Sequence, residues 1–207
     1  METISHTMEL FGAFLTGVVG PVAYFLVNRY FQKHKESKRD KVKENISITS
    51  IISDELEEVR NEFDSDRVWI SQFHNGGNFY PTGKSIQKFS VFYEVSKAGI
   101  STISHTFNNI PCSLYTKAFE HMMGGKGIFI PNYETTSQCF GLKEAATSVG
   151  TKSAYLIPLF TLDNKYIGCL GMDFVLQPTE ITKDEREHLQ IYAGRISGFL
   201  QNHLKSD

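Results

Sequence analysis

The sequence predicts an α+β domain, a largely antiparallel sheet flanked by helices, preceded by one transmembrane helix. Three observations carry this expectation. The chain opens on a long apolar run followed by clustered basic residues, its middle alternates period-two segments with segments of helical spacing, and it closes on two apolar strands and a capped helix. Its 207 residues leave room for one core, and 41% hydrophobic with 21% charged residues excludes wholesale disorder. A formal net charge of -2 gives no general attraction for nucleic acid, so none is expected as a partner. Cys112, Cys139 and Cys169 form no close pairs, which fits a reducing compartment. With no CxxC or HxxxH pair, no metal is expected.

Residues 1–9 read as a short outer tail and 10–31 as the membrane helix. From Leu10 to Val27 the chain runs LFGAFLTGVVGPVAYFLV without a charge, a length of about 27 Å as a helix. Gly12, Gly17, Gly20 and Pro21 suit a membrane span better than a soluble helix, and Tyr24, Tyr30 and Phe31 supply an aromatic belt. Arg29, Lys33, Lys35, Lys38, Arg39, Lys41 and Lys43 follow, whereas the tail carries only Glu2 and Glu9. By the positive-inside rule the domain lies in the cytoplasm, on the inner face of the cell membrane, held to lipid by the anchor. A cleaved signal peptide would have its basic residues first, the reverse of this order. A buried hairpin or interfacial helix is the alternative. The glycosylation pattern Asn45-Ile46-Ser47 is irrelevant in the cytoplasm.

Residues 32–63 form the basic juxtamembrane stretch and a linker helix. Val42, Asn45, Thr49, Ile52, Leu56, Val59 and Phe63 follow the three-four spacing of a coiled-coil seam. About three heptads are too few to associate strongly alone. The helix therefore bundles with a second helix of the following domain or with its copy in a homodimer. Asp54, Glu55, Glu57 and Glu58 read as a solvated face.

In 64–207, Arg67 to Phe73 alternates as a strand, with Val68 and Ile70 opposite Trp69 and Phe73, before a turn at 74–78. Ile86 to Ser96 alternates with Phe89, Val91, Tyr93 and Val95 on one face. Pro111 to Met123 has Leu114, Ala118 and Met122 beside Tyr115 and Phe119 at helical spacing, ended by Gly124-Gly125. Ile128 to Pro131 is a short strand and Gln138 to Ser148 a short helix. Ala154 to Phe160 and Tyr166 to Leu176 are strands joined by the turn Leu162 to Lys165. Thr182 to Glu185 is a capping box opening a helix with Leu189, Ala193, Ile196 and Leu200 on one stripe.

The segments Ser153-Ala154-Tyr155-Leu156-Ile157-Pro158-Leu159, Tyr166-Ile167-Gly168-Cys169-Leu170-Gly171-Met172-Asp173 and Ile181-Thr182-Lys183-Asp184-Glu185 resemble the carboxy-terminal half of a GAF domain. Gly124 to Asn132 is similar to that family's glycine-preceded short strand. The resemblance covers about four-fifths of the chain. It implies a five- or six-stranded sheet, helices on one side as a dimerisation bundle, and a small-molecule pocket on the other. The ligand pocket is expected at Phe89, Phe92, Tyr93, Leu114, Phe119, Ile130, Phe140, Tyr155 and Met172. Two departures narrow the ligand. The Asn-Lys-x-x-x-Phe-x-x-x-Asp-Glu signature of cyclic-nucleotide-binding members is absent, and neither Cys112 nor Cys139 has the adjacent histidine of bilin-binding members. No cofactor is expected.

Other motifs carry less. Gly77 to Ser85 misses a P-loop by one residue, and Pro81 removes an N–H donor. His74 reads as a turn histidine. Glu94 and Asp173 are the buried-acid candidates, each read as a cap or surface ion pair. The cysteines match in number, but not in spacing, the free methionine sulfoxide reductases of this fold, so no catalytic residue is assigned. The expected function is a membrane-anchored, cytoplasmic sensory or regulatory module that binds a small molecule and signals through helix packing or a protein partner. A ligand-free recruitment or lipid-surface adaptor, using Gly76 to Lys84 and the basic stretch, is the alternative.

Overall fold

The computed structural model describes residues 17, 19–37, 41–79 and 81–204. The outer tail and the first part of the apolar run lie outside them. The run's end opens helix α1 (Gly20–Ser37). Among the described residues no helix is long and apolar enough to cross a membrane. The chain divides into two units with the boundary between Asn45 and Ile46.

The second unit is built on a six-stranded antiparallel sheet. Its strands are β1 (Arg67–Asn78), β2 (Ser85–Ser96), β3 (Ile110–Pro111), β4 (Ile128–Ile130), β5 (Ser153–Phe160) and β6 (Tyr166–Phe174), ordered β3-β2-β1-β6-β5-β4. The linker helix α2 (Lys41–Glu62) and the last helix α5 (Lys183–Leu204) cover one face. Ile52, Leu56 and Val59 of α2 and Leu189, Ile196 and Leu200 of α5 are fully buried against Val68, Ile70, Leu170 and Met172. The heptad seam is thus consumed within the chain from Ile52 onward, while Val42, Asn45 and Thr49 remain exposed. The compact unit accordingly begins at Ile46. At the start of α5 the capping box forms as the sequence predicts, with the Thr182 N–H donating to Glu185 and the Glu185 N–H to Thr182 Oγ1.

The opposite face carries a one-turn 3-10 segment, Cys112–Tyr115, helix α3 (Thr116–Met123) and helix α4 (Lys143–Ser148). Both helices differ from the expected spans for local reasons. The tighter 3-10 turn takes Leu114 off the Ala118-Met122 stripe, and Leu114 is exposed. Phe140 and Gly141 have φ of 51° and 79°, left-handed values no α-helix admits, so α4 starts only at Lys143. The turn expected at 74–78 is instead paired strand out to Asn78, and the chain reverses between Phe79 and Lys84.

A β-bulge in β2 alters the expected face assignment. Ile70 pairs with Tyr93 but Ser71 with Val91, so one extra residue, Phe92, enters the ladder. Phe89 and Val91 therefore face α3, whereas Tyr93 and Val95 pack with the α2–α5 core.

Candidate functional site

Between the sheet and α3, α4 and the 97–109 segment lies a cavity of about 80 Å³. It exists because the facing positions are small. Ala118, Ala145, Ala146 and Ala154 leave space that Trp69, Phe89, Phe119 and Met122 wall but do not fill. The packing around it is aromatic, with the Phe89 and Phe119 rings meeting edge to face at 5.2–5.4 Å from their neighbours in the Phe73–Phe119–Phe89 chain.

One end of the cavity is polar and rests on a buried ion pair. Arg67 and Asp173 sit directly opposite in the β1–β6 ladder. Arg67 is fully buried and Asp173 nearly so. Arg67 Nε and Nη2 donate to Asp173 Oδ2 at 3.0 and 2.8 Å, and Nη2 also donates to Thr151 Oγ1 at 2.7 Å. Trp69 Nε1 donates to the same carboxylate oxygen at 3.1 Å. This reach depends on Gly171, where a Cβ would stand 2.2 Å from the indole ring. Gly168 is required for a similar reason, since a Cβ there would lie 1.9 Å from the Ser71 carbonyl oxygen.

Electrostatics follow from this burial. Burial pushes the Asp173 carboxyl up from the ordinary aspartate value, and the Arg67 charge and the hydrogen bonds from Arg67, Trp69 and Thr151 oppose it. The Arg67 charge and the two guanidinium N–H groups that converge on Oδ2 favour the carboxylate form. Burial, with the nearby Asp173 charge, also pushes the Tyr133 phenol far up. The Cys169 thiol is pushed up to about 12 by burial, against its hydrogen bond with Ser71. A thiol so held is no thiolate nucleophile at neutral pH.

Of the residues the sequence assigns to the pocket, Phe89 and Phe119 line the cavity. Ile130 and Phe140 belong to the apolar cluster on the same face, Phe140 with its ring 4.5 Å from that of His121, but neither reaches the cavity wall. Tyr155 and Met172 pair with each other and point to the helix-covered face, one residue out of phase with Ala154 and Asp173, which do line it. Tyr93 lies on that face as well, past the bulge. Phe92, the bulge residue, is 55% exposed with its ring 5.9 Å from His74, and Leu114 is 66% exposed. Glu94 does cap, accepting from the N–H groups of Ile103 and Ser104, so it fixes the segment over the cavity. Asp173 is no surface pair. The residues missed are Arg67, Trp69, Tyr133 and Thr151. The available signal was a lone arginine and a lone aspartate in two apolar strands.

No family model matches the sequence, and no curated protein sequence matches it. Solved structures match by fold. The phycocyanobilin-bound GAF domain of a cyanobacterial phytochrome is 21% identical over 88% of this chain and 96% of its own, with a TM-score of 0.61. The blue-light-absorbing form of the Thermosynechococcus elongatus PixJ GAF domain is 14% identical over 81% of this chain and 96% of its own, with a TM-score of 0.61. A far-red cyanobacteriochrome photoreceptor is 13% identical over 90% of this chain and 99% of its own, with a TM-score of 0.59. The chain has a GAF-like fold.

Proposed function

We propose that this chain is a membrane-anchored regulatory module that senses a small molecule in the cavity and transmits its presence through the α2–α5 helix pair. One observation carries the reading. The central strands β1 and β6 present Trp69, Ser71, Cys169 and Asp173 to the cavity and, at the alternate positions, Val68, Ile70, Leu170 and Met172 to the helices. A molecule that shifts these strands on one face alters the packing of α2 and α5 on the other.

The chromophore of one structural neighbour does not fit. The phytochrome domain is phycocyanobilin-bound, but a cavity of about 80 Å³ falls far below the roughly 300 to 1,000 Å³ of sites for drug-sized ligands. Cys169, the cavity cysteine, is buried and protonated. The ligand is therefore smaller than a tetrapyrrole, and the reading involves no catalysis.

The apolar run from Leu10, the basic residues after it and the positive-inside rule support the anchor, with the sheet unit in the cytoplasm. Exposed Ile46 and Ile51 on α2 and Ile191 on α5 are the apolar positions available to a second copy or a protein partner. Native mass spectrometry of the full-length chain from detergent tests the sensing: a copurified small molecule supports it. An empty cavity, together with no melting shift across a metabolite panel, defeats it in favour of recruitment. Retention of the full-length chain in membranes after carbonate washing tests the anchor, and release removes it.

A further inference from the structure

Deepening the sensing reading and resting on it, the geometry points to the ligand class: a compact, uncharged molecule with one hydrogen-bond donor and one acceptor on a short hydrocarbon body, such as a small alcohol or primary amide. Its polar head sits between Asp173 Oδ1 and the Tyr133 hydroxyl.

Every side-chain hydrogen bond on Asp173 lands on Oδ2, from Arg67, Trp69 and Thr151. Among the described residues Oδ1 accepts none. The Tyr133 hydroxyl likewise has no hydrogen-bond partner among them, although Tyr133 is only 4% and Asp173 only 3% exposed. Both residues line the cavity. Neither atom is among the fully sealed polar atoms without a partner, which are Glu55 Oε2, Ser65 Oγ, Ser96 Oγ and Arg186 Nε. Both atoms are thus within reach of a water-sized probe, on two residues that wall the cavity. Buried polar groups are satisfied in folded proteins, and these two are satisfied only by what enters.

Their chemistry fixes the head. A carboxylate oxygen only accepts, and the Tyr133 hydroxyl, which burial keeps protonated, donates. The complement is a group that donates to Oδ1 and accepts from the phenol. Charge is excluded by balance. Arg67 already neutralises Asp173, so a ligand cation would lie beside the guanidinium, and an anion beside the carboxylate, each in an apolar enclosure. Size limits the body. About 80 Å³ holds on the order of five to eight water-sized groups at roughly 10–15 Å³ of probe volume each, enough for a chain of about four carbons with its polar head.

The test uses the full-length chain in detergent micelles, carrying ¹³C-methyl labels on alanine and methionine. Butyramide, 1-butanol, butylammonium and butyrate share a four-carbon scale and differ in charge. Butyramide and 1-butanol are expected to shift the methyl signals of Ala118, Ala146 and Met122, and the two ions to leave them unmoved. Tyr133→Phe, which removes no hydrogen bond among the described residues, is expected to weaken butyramide about tenfold. An ion that binds as tightly as butyramide overturns the ligand class while the cavity's sensing role survives. Unchanged butyramide affinity in a folded Tyr133→Phe does the same. Should Tyr133→Phe not fold, the charge series on the unaltered chain decides alone. If no member moves a cavity methyl, the inference fails, and the sensing reading falls with it only if nothing copurifies either.

Discussion

Arg67 and Asp173 face each other across the β1–β6 ladder and close a bidentate contact on one carboxylate oxygen, with Nη2–Oδ2 at 2.8 Å and both side chains out of solvent. The pair stands where the two central strands end and the 97–109 and 150–152 segments cross, and it binds both: Arg67 Nη1 donates to the Ser101 carbonyl and Nη2 to Thr151. The same contact therefore ties down the segments over the cavity and occupies one oxygen of the acid at its polar end. Stability and the proposed ligand contact meet in a single carboxylate.

Removing one partner leaves the other charged, buried and alone. Asp173→Ala is expected to cost about 3–5 kcal/mol, read as the drop in unfolding free energy from a urea titration. The double substitution Arg67→Met with Asp173→Leu is expected to recover most of that loss, because no uncompensated charge remains. A single substitution costing no more than the double would show that the pair does not carry the charge balance assigned to it.

Asp66 gives a pH signature. Its side chain accepts from the N–H groups of Val175 and Leu176 at 2.7 and 2.8 Å and lies near Lys97. Burial pushes its carboxyl up, but those N–H groups and the Lys97 ammonium outweigh it and hold it below the ordinary value of 3.8. A carboxyl depressed in the folded state contributes stability above its unfolded pKa and loses it as pH falls through the folded one. Thermal melts between pH 7 and pH 2 are expected to show a destabilisation beginning below about pH 5 that is shallower in Asp66→Asn. That variant is expected to lose about 1–2 kcal/mol at pH 7.

The helix-covered face was legible because period 3.6 and period 2 both survive in the sequence there. Leu56, Ile196 and Leu200 take the core positions that their spacing assigns. The cavity face was less legible, and three local events explain it. An inserted residue at Phe92 reversed the parity of half of β2, a 3-10 turn rotated Leu114 outward, and left-handed Phe140 and Gly141 shortened a helix. None changes hydrophobicity, so no periodicity argument detects them. The pairing of Arg67 with Asp173 is 106 residues apart in sequence and appears only once the register is known.

Gly171 lies against the indole of Trp69, which reports on any change there. A Cβ at 171 would stand 2.2 Å from the ring, so Gly171→Ala must displace the indole and break its 3.1 Å hydrogen bond to Asp173. The expected cost is about 1–3 kcal/mol. Trp69 is the chain's single tryptophan and lines the cavity, so its emission reads the displacement directly. A shift to longer wavelength in Gly171→Ala, matched by a response of the unaltered chain to butyramide, would place both events at one ring. An unchanged spectrum with unchanged stability would contradict the contact.

The two long helices separate inward from outward positions sharply. Leu56 is fully buried and Ile191 is 61% exposed. Leu56→Ala is expected to lower the unfolding free energy by about 2–5 kcal/mol, since it removes transfer energy and leaves a cavity beneath the helix pair. Ile191→Ala is expected to change it by less than about 0.5 kcal/mol in dilute protein. The second substitution also reads self-association. If the chain forms a dimer through this face, Ile191→Ala lowers the melting temperature more at high protein concentration than at low, because association stabilises only the folded copy. Concentration-independent melting in both proteins would confine α2 and α5 to packing within one chain.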